Sequence, residues 1–597
     1  MIRGTSKTGG LGTFAGVFTP SILTILGIIL FRRTGFVVGG AGLGPALTII
    51  LLANVISVLT ALSLSAIATN MKVKGGGDYY LISRTLGIEF GGAIGLVLFL
   101  AQSVSIAFYC IGFGEAVTQV VPFAHPLLPR FLAAGAVLFL SVFAWLGADW
   151  ATRLQYVVMG VLGLGLISFF AGGIGQFDPR LAAANWTAPE GMAFGFLFAL
   201  FFPAVTGFTQ GVSMSGDLKD PGKSLPLGTM LAVGVSLVVY VAAAVLLAGA
   251  QTAENLRADY DAMHQIALAA APISAGVIAA CLSSGMASFL GAPRILQAMA
   301  EDRILPRIRF FAKGEGSTNN PRRGVVLSLG VALITVALGN LNAIAPVVAM
   351  FFLTSYGLLN YATYYEARAA SPSFRPRFRW FDKHLSLAGA VACLGAMLAI
   401  DPVAALISLS ILAAVYQYLE RVDSPARWAH GRRSYNFQRI RELLFEMEHI
   451  APHPRDWRPH ILALSHDEHR RVRLLEFAAW VEGDSGLTTV VSIVEGGGPD
   501  AERRRREAGE RLAKTVEQHE LRAFPLAVTA PDFRTGLEML LQGYGIGPLK
   551  ANMILLNWLD QRPEAADEGK ERVYGRSLRE AVALRSNILV LDAPPEK

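Results

Sequence analysis

The feature that most constrains this sequence is the recurrence of long apolar runs between Phe14 and Leu419. Each run is about 20 residues long, enough for a helix to cross a hydrocarbon core about 30 Å thick. Only 16% of the residues are charged, against about 25% in ordinary soluble proteins. The sequence therefore predicts a multi-pass membrane protein.

We predict twelve membrane-spanning helices from these runs. They fall at residues 14–38, 42–69, 90–121, 128–147, 153–176, 190–216, 227–250, 267–299, 324–339, 341–369, 384–400 and 401–419. The first run extends far beyond the apolar part of a signal peptide, so we expect it to remain as a helix. The three cysteines lie inside apolar runs, and neither a disulfide framework nor a metal site is expected from them.

The basic residues predict the orientation of the chain. With the N-terminus in the cytoplasm, most Lys and Arg residues fall on inner loops, and both termini lie inside. Few then remain for the outer loops: Arg32, Arg33, Arg130, Arg180 and Arg257. Topology accounts for the net charge of +7 better than nucleic-acid binding does.

Two predicted spans contain residues that damage a helix. The first reads TPSILTILGIILF, with Pro20 and Gly27, and the sixth reads FFPAVTG, with Pro203 and Gly207. Proline cannot close its helical turn, and glycine costs on the order of 1 kcal/mol relative to alanine. One interpretation is a pair of simple kinks, because both residues are common in membrane helices.

The positions of the two interruptions favour a functional interpretation. They start five spans apart, as expected if the first ten helices form two inverted repeats of five. Unwound backbone at mid-membrane is tolerated where it lines a cavity, and there it offers carbonyls to cations and half-helix N-termini to anions. We therefore predict ion or substrate binding at these breaks.

The broken segments carry hydroxyl groups and no acidic side chains. Glu115 and Glu366 lie toward the ends of their spans, so a proton-driven pump is disfavoured. Neutral oxygens can replace the water shell of an alkali cation, although Ser, Thr and Tyr also serve as structural links between helices. The candidates on these and neighbouring spans are Thr24, Tyr109, Thr206, Ser283, Ser284 and Tyr356.

After Glu420 the pattern changes to alternating strands and helices. We predict a short cytosolic tail at 1–13, a membrane domain at 14–420 and a cytosolic α/β domain with a parallel sheet at 421–597. HDEH, from His466, is read as the capped start of a helix over 467–481 rather than as a metal site. EGGGPD, from Glu495, and GYGIG, from Gly543, are read as turns rather than phosphate loops. No enzymatic motif is found.

Several motifs resemble the cation-chloride cotransporters, of the amino acid-polyamine-cation superfamily. They are KGGGDYYLISRTLGIEFGGAIGL (74–96), FYCIGFGEAV (108–117), FFPAVTG (201–207) with SGDLKDP (215–221), LSSGMASFLGAPRILQA (282–298), FFLTSYGLLNYATYYEARAASPSFRPRF (351–378), DWRPHILAL (456–464) and FRTGLEMLLQGYGIG (533–547). The resemblance covers nearly the whole chain. It implies an all-α membrane domain of LeuT-like fold with 5+5 inverted repeats, plus the cytosolic α/β domain.

The resemblance also implies three groups of ion-binding residues. The potassium residues are Thr24, Ile25, Tyr109, Pro203 and Thr206; the sodium residues are Leu23, Leu26, Ala280, Ser283 and Ser284; the chloride residues are Gly27, Ile28, Ile29, Gly207, Phe208, Thr209 and Tyr356. No other metal and no cofactor is implied. The family often has Asn where Thr24 stands, and its sodium-coupled branch has Trp where Leu26 stands, but the paired serines are those of that branch.

The sequence thus predicts an electroneutral symporter of Na⁺, K⁺ and Cl⁻ that works by alternating access. Short outer loops and an Ala-, Gly- and Arg-rich composition suggest a bacterial inner membrane, and the family suggests a homodimer in which the α/β domain mediates dimerisation or regulation. Two alternatives remain: an amino acid permease of the same superfamily, and a nucleotide-sensing membrane receptor whose transport core is vestigial.

Overall fold

The computed structural model describes residues 11–70, 77–121, 125–146, 151–188, 191–213, 218–304, 306–316, 319–370, 374–421, 431–451, 453–465 and 470–557, with short stretches between 575 and 592. By its contacts the chain divides into two compact units, Met1–Asn436 and Phe437–Lys597. The division falls later than the predicted boundary at 420/421. Helix Gly431–Glu448 runs across it.

The first unit is helical, and we number its spans in their predicted order. The first span comprises Phe14–Phe18, Thr19–Ile25, Ile28–Arg32 and Thr34–Ala41, and the sixth comprises Phe194–Phe201, Phe202–Val205, Gly207–Thr209 and Gln210–Ser213. Spans two to five are Leu43–Asn70, Ile88–Val120, Leu128–Leu146 and Ala151–Gln176. The remaining six are Pro221–Ala250, Ala270–Glu301, Arg322–Leu338, Leu341–Arg368, Lys383–Ile400 and Pro402–Arg421.

Eleven helices in the described ranges are long and apolar enough to cross a membrane. The helix at the ninth predicted position, Arg322–Leu338, has 17 residues and is not one of them. Shorter helices between the spans are Gly77–Leu86, Pro179–Ala184, Ala253–Ala258, Ala262–Ile266 and Pro306–Phe311. A multi-pass membrane architecture is therefore confirmed, whereas the number twelve stays a prediction.

Burial separates central helices from peripheral ones. In the most apolar window of each span, 83% of the residues are buried in the first, 83% in the third and 89% in the sixth. The corresponding values for the last two spans are 22% and 17%. The two interrupted spans and the third span therefore form the centre of the unit, where side chains contact other helices on all sides.

The second unit contains a five-stranded parallel sheet. Its strands are β1 (His460–Leu464), β2 (Leu487–Glu495), β3 (Phe524–Ala530), β4 (Met553–Asn557) and β5 (Asn587–Leu591), in the order β3-β2-β1-β4-β5. Helices Arg471–Glu482, Gly498–Gln518 and Phe533–Gly543 accompany them. Ile461 and Leu462 belong to different apolar clusters, so both faces of the sheet are covered, as parallel sheets require.

The structure describes two of the three loop motifs of this unit. The HDEH motif, residues 466–469, lies outside the described residues. EGGGPD leads into helix Gly498–Gln518, with Gly496 at φ 115° and Gly498 at φ 80°. GYGIG enters a short antiparallel hairpin of Gly545–Ile546 with Leu549–Lys550. EGGGPD therefore connects β2 to the following helix, GYGIG connects a helix to the hairpin, and their assignment as turns rather than phosphate loops stays a prediction.

Candidate functional site

The first span is interrupted at Leu26 and Gly27, between helices Thr19–Ile25 and Ile28–Arg32. Leu26 has φ −83° and ψ 42°, and Gly27 has φ −95° and ψ −143°, so neither is helical. Pro20 was expected to contribute to the break, but it lies six residues before Leu26, where helix Thr19–Ile25 continues directly from the π-helix Phe14–Phe18. The break therefore depends on Leu26 and Gly27.

The sixth span is interrupted around Thr206. Two turns of 3₁₀ helix, Phe202–Val205 and Gly207–Thr209, replace the α-helix on either side of this residue. The Thr206 hydroxyl donates to the carbonyl oxygen of Pro203 at 2.9 Å. Because 3₁₀ turns interrupt the α-helical hydrogen-bond ladder, backbone groups here become free for other partners.

The two interruptions lie against each other. A Cβ atom built on Gly207 would lie 2.7 Å from the Cβ of Thr24 and 2.9 Å from the backbone nitrogen of Ile25. Only glycine fits this approach. Nearby, the Ser21 hydroxyl donates to the carbonyl oxygen of Phe208 at 3.2 Å. The residues predicted for cation and anion binding therefore meet in one place.

Hydroxyl groups from two other spans contact carbonyls of the sixth-span break. Tyr356, on the tenth span, donates to the carbonyl oxygen of Thr206 at 2.9 Å. Ser57, on the second span, donates to the carbonyl oxygen of Val205 at 3.0 Å. Both donors are buried. Carbonyls released by the unwinding are thus satisfied without charged side chains, as the membrane interior demands.

A third hydroxyl serves the first-span break in the same way. Tyr240, on the seventh span, donates to the carbonyl oxygen of Ile25 at 2.7 Å and is fully buried. Its ring packs edge-on against Phe201 with ring centroids 5.1 Å apart. No local sequence motif indicates these distant contacts, so they could not be predicted for Tyr240, Ser57 or Ser21.

The residues predicted for potassium lie around the crossing. Thr24 and Thr206 are buried. The hydroxyl of each donates to a carbonyl of its own span: Thr24 to the carbonyl oxygen of Pro20 at 2.9 Å, and Thr206 to that of Pro203. Tyr109 is buried on the third span, and its Cβ lies 3.7 Å from a Cβ built on Gly285 of the eighth span. Thr24 thus lies against the Gly207 position and Tyr109 lies against the eighth span, and cation binding by these residues stays a prediction.

The residues predicted for sodium lie on the first and eighth spans. Leu23, Leu26 and Ala280 are buried. Ser284 is 1% exposed, and its hydroxyl oxygen has no hydrogen-bond partner within the described ranges, whereas Ser283 is half-buried. A buried hydroxyl without a partner is costly in an apolar interior, so a bound cation or water is the expected partner.

The residues predicted for chloride sit at the beginnings of the two restarted helices. Gly27, Ile28 and Ile29 lead into Ile28–Arg32, and their amides make no hydrogen bond to any described residue. Such leading amides of a helix lack intrahelical acceptors. Amides arranged in this way attract anions.

A small cavity lies on the far side of the sixth-span break. Its volume is about 10 Å³, roughly one water-sized probe. It is lined by Thr209, Ser355 and Tyr356 together with aliphatic side chains, including Leu98. Its surface is almost entirely apolar, so the cavity gives no direct support to the predicted chloride residues Gly207 and Phe208.

An ion-pair cluster lies beyond the first-span break. Arg33, 2% exposed, contacts Glu115 of the third span at 2.8 Å, and its guanidinium lies 4.0 Å from the ring centroid of Tyr260. Arg32 pairs with Asp261. Both arginines were expected on an outer loop, but their charge partners allow them to be buried among the helices.

Partial burial shifts the pKa values of two side chains in and beside this cluster, Asp261 and His264. Burial raises the pKa of the Asp261 carboxyl above its usual value, and the Arg32 guanidinium opposes that shift. Burial also lowers the pKa of His264, whose Nε2 lies 3.0 Å from the Ser274 hydroxyl. The cluster ties the first and third spans to the connection between spans seven and eight.

A second polar cluster lies at the opposite ends of the third and eighth spans. Arg84, in helix Gly77–Leu86, makes two hydrogen bonds of 2.6 Å to Asp302, and the hydroxyl of Tyr79 donates to the same carboxylate at 2.8 Å. Burial, and then the Asp302 charge, raise the pKa of Tyr79. Helix Gly77–Leu86 is thereby fixed to the end of the eighth span.

Within the described ranges no group of three or more His, Cys, Asp or Glu side chains could hold a metal ion. Cys110, Cys281 and Cys393 are buried free thiols. The chemistry of the central site is therefore that of backbone amides, carbonyls and hydroxyls.

Two family models match the chain. The model described as "Amino acid permease" matches residues 16–462, and the model described as "Solute carrier family 12" matches residues 471–593. The first covers most of the membrane unit, and the second covers most of the sheet-containing unit. Their order along the chain agrees with the two units of the structure.

Individual relatives match both units together. Solute carrier family 12 member 2 of Mus musculus is 30% identical over 97% of this chain and 53% of its own length. Solute carrier family 12 member 1 of Homo sapiens is 30% identical over 92% of this chain and 55% of its own length. Member 2 of Danio rerio is 31% identical over 92% of this chain and 53% of its own length. The chain spans about half the length of these curated relatives.

Proposed function

This chain belongs to the amino acid permease family and is related over nearly its whole length to solute carrier family 12, and on that premise we propose that it is a symporter of Na⁺, K⁺ and Cl⁻. It is a transporter rather than an enzyme, and its ions are cargo rather than cofactors. Transport is electroneutral and proceeds by alternating access.

The observation that carries this proposal is the meeting of the two interrupted spans. The first span from Thr19 to Phe31 and the sixth from Phe194 to Ser213 contain no charged side chain. Where they meet, the Gly207 position lies against Thr24, and hydroxyls are the donors to the exposed carbonyls. A site without fixed charge suits cargo whose charges sum to zero, because the membrane interior penalises unbalanced charge.

The three groups of residues take the roles that the resemblance implies. Cations bind at Thr24, Ile25, Tyr109, Pro203 and Thr206 and at Leu23, Leu26, Ala280, Ser283 and Ser284. Chloride binds at Gly27, Ile28 and Ile29 and at Gly207, Phe208, Thr209 and Tyr356. The unpartnered hydroxyl of Ser284 supports the sodium assignment, and the leading amides of Ile28 and Ile29 support the chloride assignment.

The architecture proposed around this site has twelve spans, of which the first ten form two inverted repeats. Both termini lie in the cytoplasm of a bacterial inner membrane, and the protein is a homodimer. The sheet-containing unit mediates dimerisation or regulation. The ion-pair cluster at Arg33 and the cluster at Asp302 lie at opposite ends of the third span, where contacts that break and re-form would serve alternating access.

The test is rubidium uptake by purified full-length protein in liposomes, with sodium and chloride replaced one at a time. We expect uptake to fall to the level of empty liposomes when gluconate replaces chloride or N-methylglucamine replaces sodium. Full uptake with gluconate as the sole anion would refute chloride coupling. Full rubidium uptake without sodium would refute sodium coupling, and the protein would then be a potassium-chloride symporter.

The second candidate is an amino acid permease, favoured by the family model that matches residues 16–462. Such permeases present a glycine-rich unwound first helix to the substrate carboxylate, whereas this break contains Gly27 alone. Uptake of leucine or alanine in the same liposomes, without chloride-dependent rubidium uptake, would establish the permease instead.

A further inference from the structure

We infer that Tyr240 is a positioning residue of the potassium site and determines how tightly that site holds its cation. This inference rests on the proposed function. Its basis is the 2.7 Å hydrogen bond from the Tyr240 hydroxyl to the carbonyl oxygen of Ile25, the last residue of helix Thr19–Ile25.

The Ile25 carbonyl has lost its usual partner. In a continuous helix this oxygen would accept the N–H of Ile29 four residues on, but no such hydrogen bond exists across the break. The Tyr240 hydroxyl takes the place of that N–H. Since a carbonyl oxygen has two lone pairs, the second remains open toward a cation.

Tyr240 is itself held in place by packing. It is fully buried, and its ring contacts Phe201 edge-on with centroids 5.1 Å apart and an interplanar angle of 80°. One side chain on the seventh span therefore connects the first-span break with the sixth span.

The consequence for binding is geometric. A carbonyl group stabilises a bound cation only if its oxygen points at the ion. The hydrogen bond from Tyr240 fixes the direction of the Ile25 carbonyl. Without it, the end of helix Thr19–Ile25 can turn its last carbonyl away or contract around a smaller cation. Rubidium affinity and the preference for rubidium over sodium should both fall, while the rate of the loaded carrier is maintained.

The experiment compares Tyr240→Phe with Ser236→Ala in liposomes containing the full chain. Both changes remove a buried hydroxyl of the seventh span, but the Ser236 hydroxyl donates to the Val233 carbonyl of its own helix rather than to a carbonyl of either break. For Tyr240→Phe we expect the half-saturating rubidium concentration to rise about five- to a hundredfold at unchanged maximal uptake. For Ser236→Ala we expect it to stay within about twofold.

A second measurement distinguishes weaker potassium binding from misfolding of the variant. Potassium should raise the melting temperature of the wild-type protein in detergent, and this shift should need higher potassium concentrations in Tyr240→Phe. If Tyr240→Phe shows wild-type half-saturation in both assays, or if Ser236→Ala shows an equal rise, the inference is overturned while the proposed function stands. If the wild type neither transports rubidium nor responds to potassium, the proposed function fails and the inference fails with it.

Discussion

The phenol of Tyr356 donates a hydrogen bond of 2.9 Å to the carbonyl oxygen of Thr206, and this contact joins the tenth span to the interruption of the sixth. The same carbonyl accepts the Thr209 hydroxyl at 3.2 Å. Tyr356 also lines the small cavity beside the break. Its ring is held between Phe208 and Phe352, with centroids 5.3 and 5.6 Å away, so the hydroxyl has little freedom to leave this position.

Tyr356→Phe should weaken chloride binding, because it removes the hydroxyl that donates to the Thr206 carbonyl, next to the proposed chloride residue Gly207, while the ring packing is kept. An unmade buried polar interaction costs about 1–3 kcal/mol, so half-saturating chloride should rise about five- to a hundredfold. The measurement is rubidium uptake against chloride concentration. Tyr361→Phe, on the same helix but 45% exposed, is the control; an equal change in both variants would contradict the chloride assignment.

Tyr109→Phe should weaken potassium binding for a similar reason. The change deletes one neutral oxygen and retains the ring that packs against Phe108. We expect half-saturating rubidium to rise about five- to a hundredfold. Tyr156→Phe, at a 45% exposed position of the fifth span, should leave it unchanged. If Tyr109→Phe and Thr206→Val both keep the wild-type value, the cation binds elsewhere.

Replacing Ser283 and Ser284 together with alanine should remove the dependence on sodium. The double change deletes two hydroxyl ligands with little change in volume, so expression should be retained. The measurement is rubidium uptake against sodium concentration. Ser288→Ala is a matched control, because this hydroxyl is also buried without a described partner but lies one turn beyond the predicted site. Wild-type sodium dependence in the double variant would make the serines structural.

Glu115→Ala should destabilise the protein strongly. It leaves the buried Arg33 guanidinium without its carboxylate, and breaking a buried pair costs about 3–5 kcal/mol. Thermal unfolding in detergent measures the loss. The control is Asp484→Ala. Asp484 pairs with Arg522, but their side chains are 78% and 80% exposed, so this ion pair should contribute little to the free energy of unfolding. Equal melting temperatures of Glu115→Ala and wild type would show that the cluster is not stabilising.

Much of the fold could be predicted from the sequence because membrane-spanning length is a strong signal. Most predicted boundaries fall within a few residues of the helices, as for 128–147 against Leu128–Leu146. The parallel sheet followed from alternating strands and helices, and the comparisons confirm the family resemblance drawn from the motifs. The seventh helix, however, begins at Pro221, six residues before the predicted start, because proline is accepted in a first helical turn.

The site was predicted less completely than the fold. Gly27 and Gly207 were selected correctly as positions of broken backbone, because glycine and proline mark such positions locally. The role of Tyr240 could not be predicted, because its hydrogen-bond partner is a backbone carbonyl 215 residues away in the sequence. A tyrosine in an apolar run has no sequence signature that separates packing from hydrogen bonding, so only the tertiary structure identifies it.

The close approach of Gly207 to Thr24 also determines how the proposed ions affect one another. A cation at Thr24 and an anion on the Gly207 amide would be neighbours. At a separation of about 5 Å and an effective dielectric constant of about 20, opposite unit charges attract by about 3 kcal/mol. Each ion would then raise the affinity for the other by roughly a hundredfold. A carrier with only one of the two ions bound would be correspondingly rare, so the proximity of the two sites would favour transport of cation and anion together.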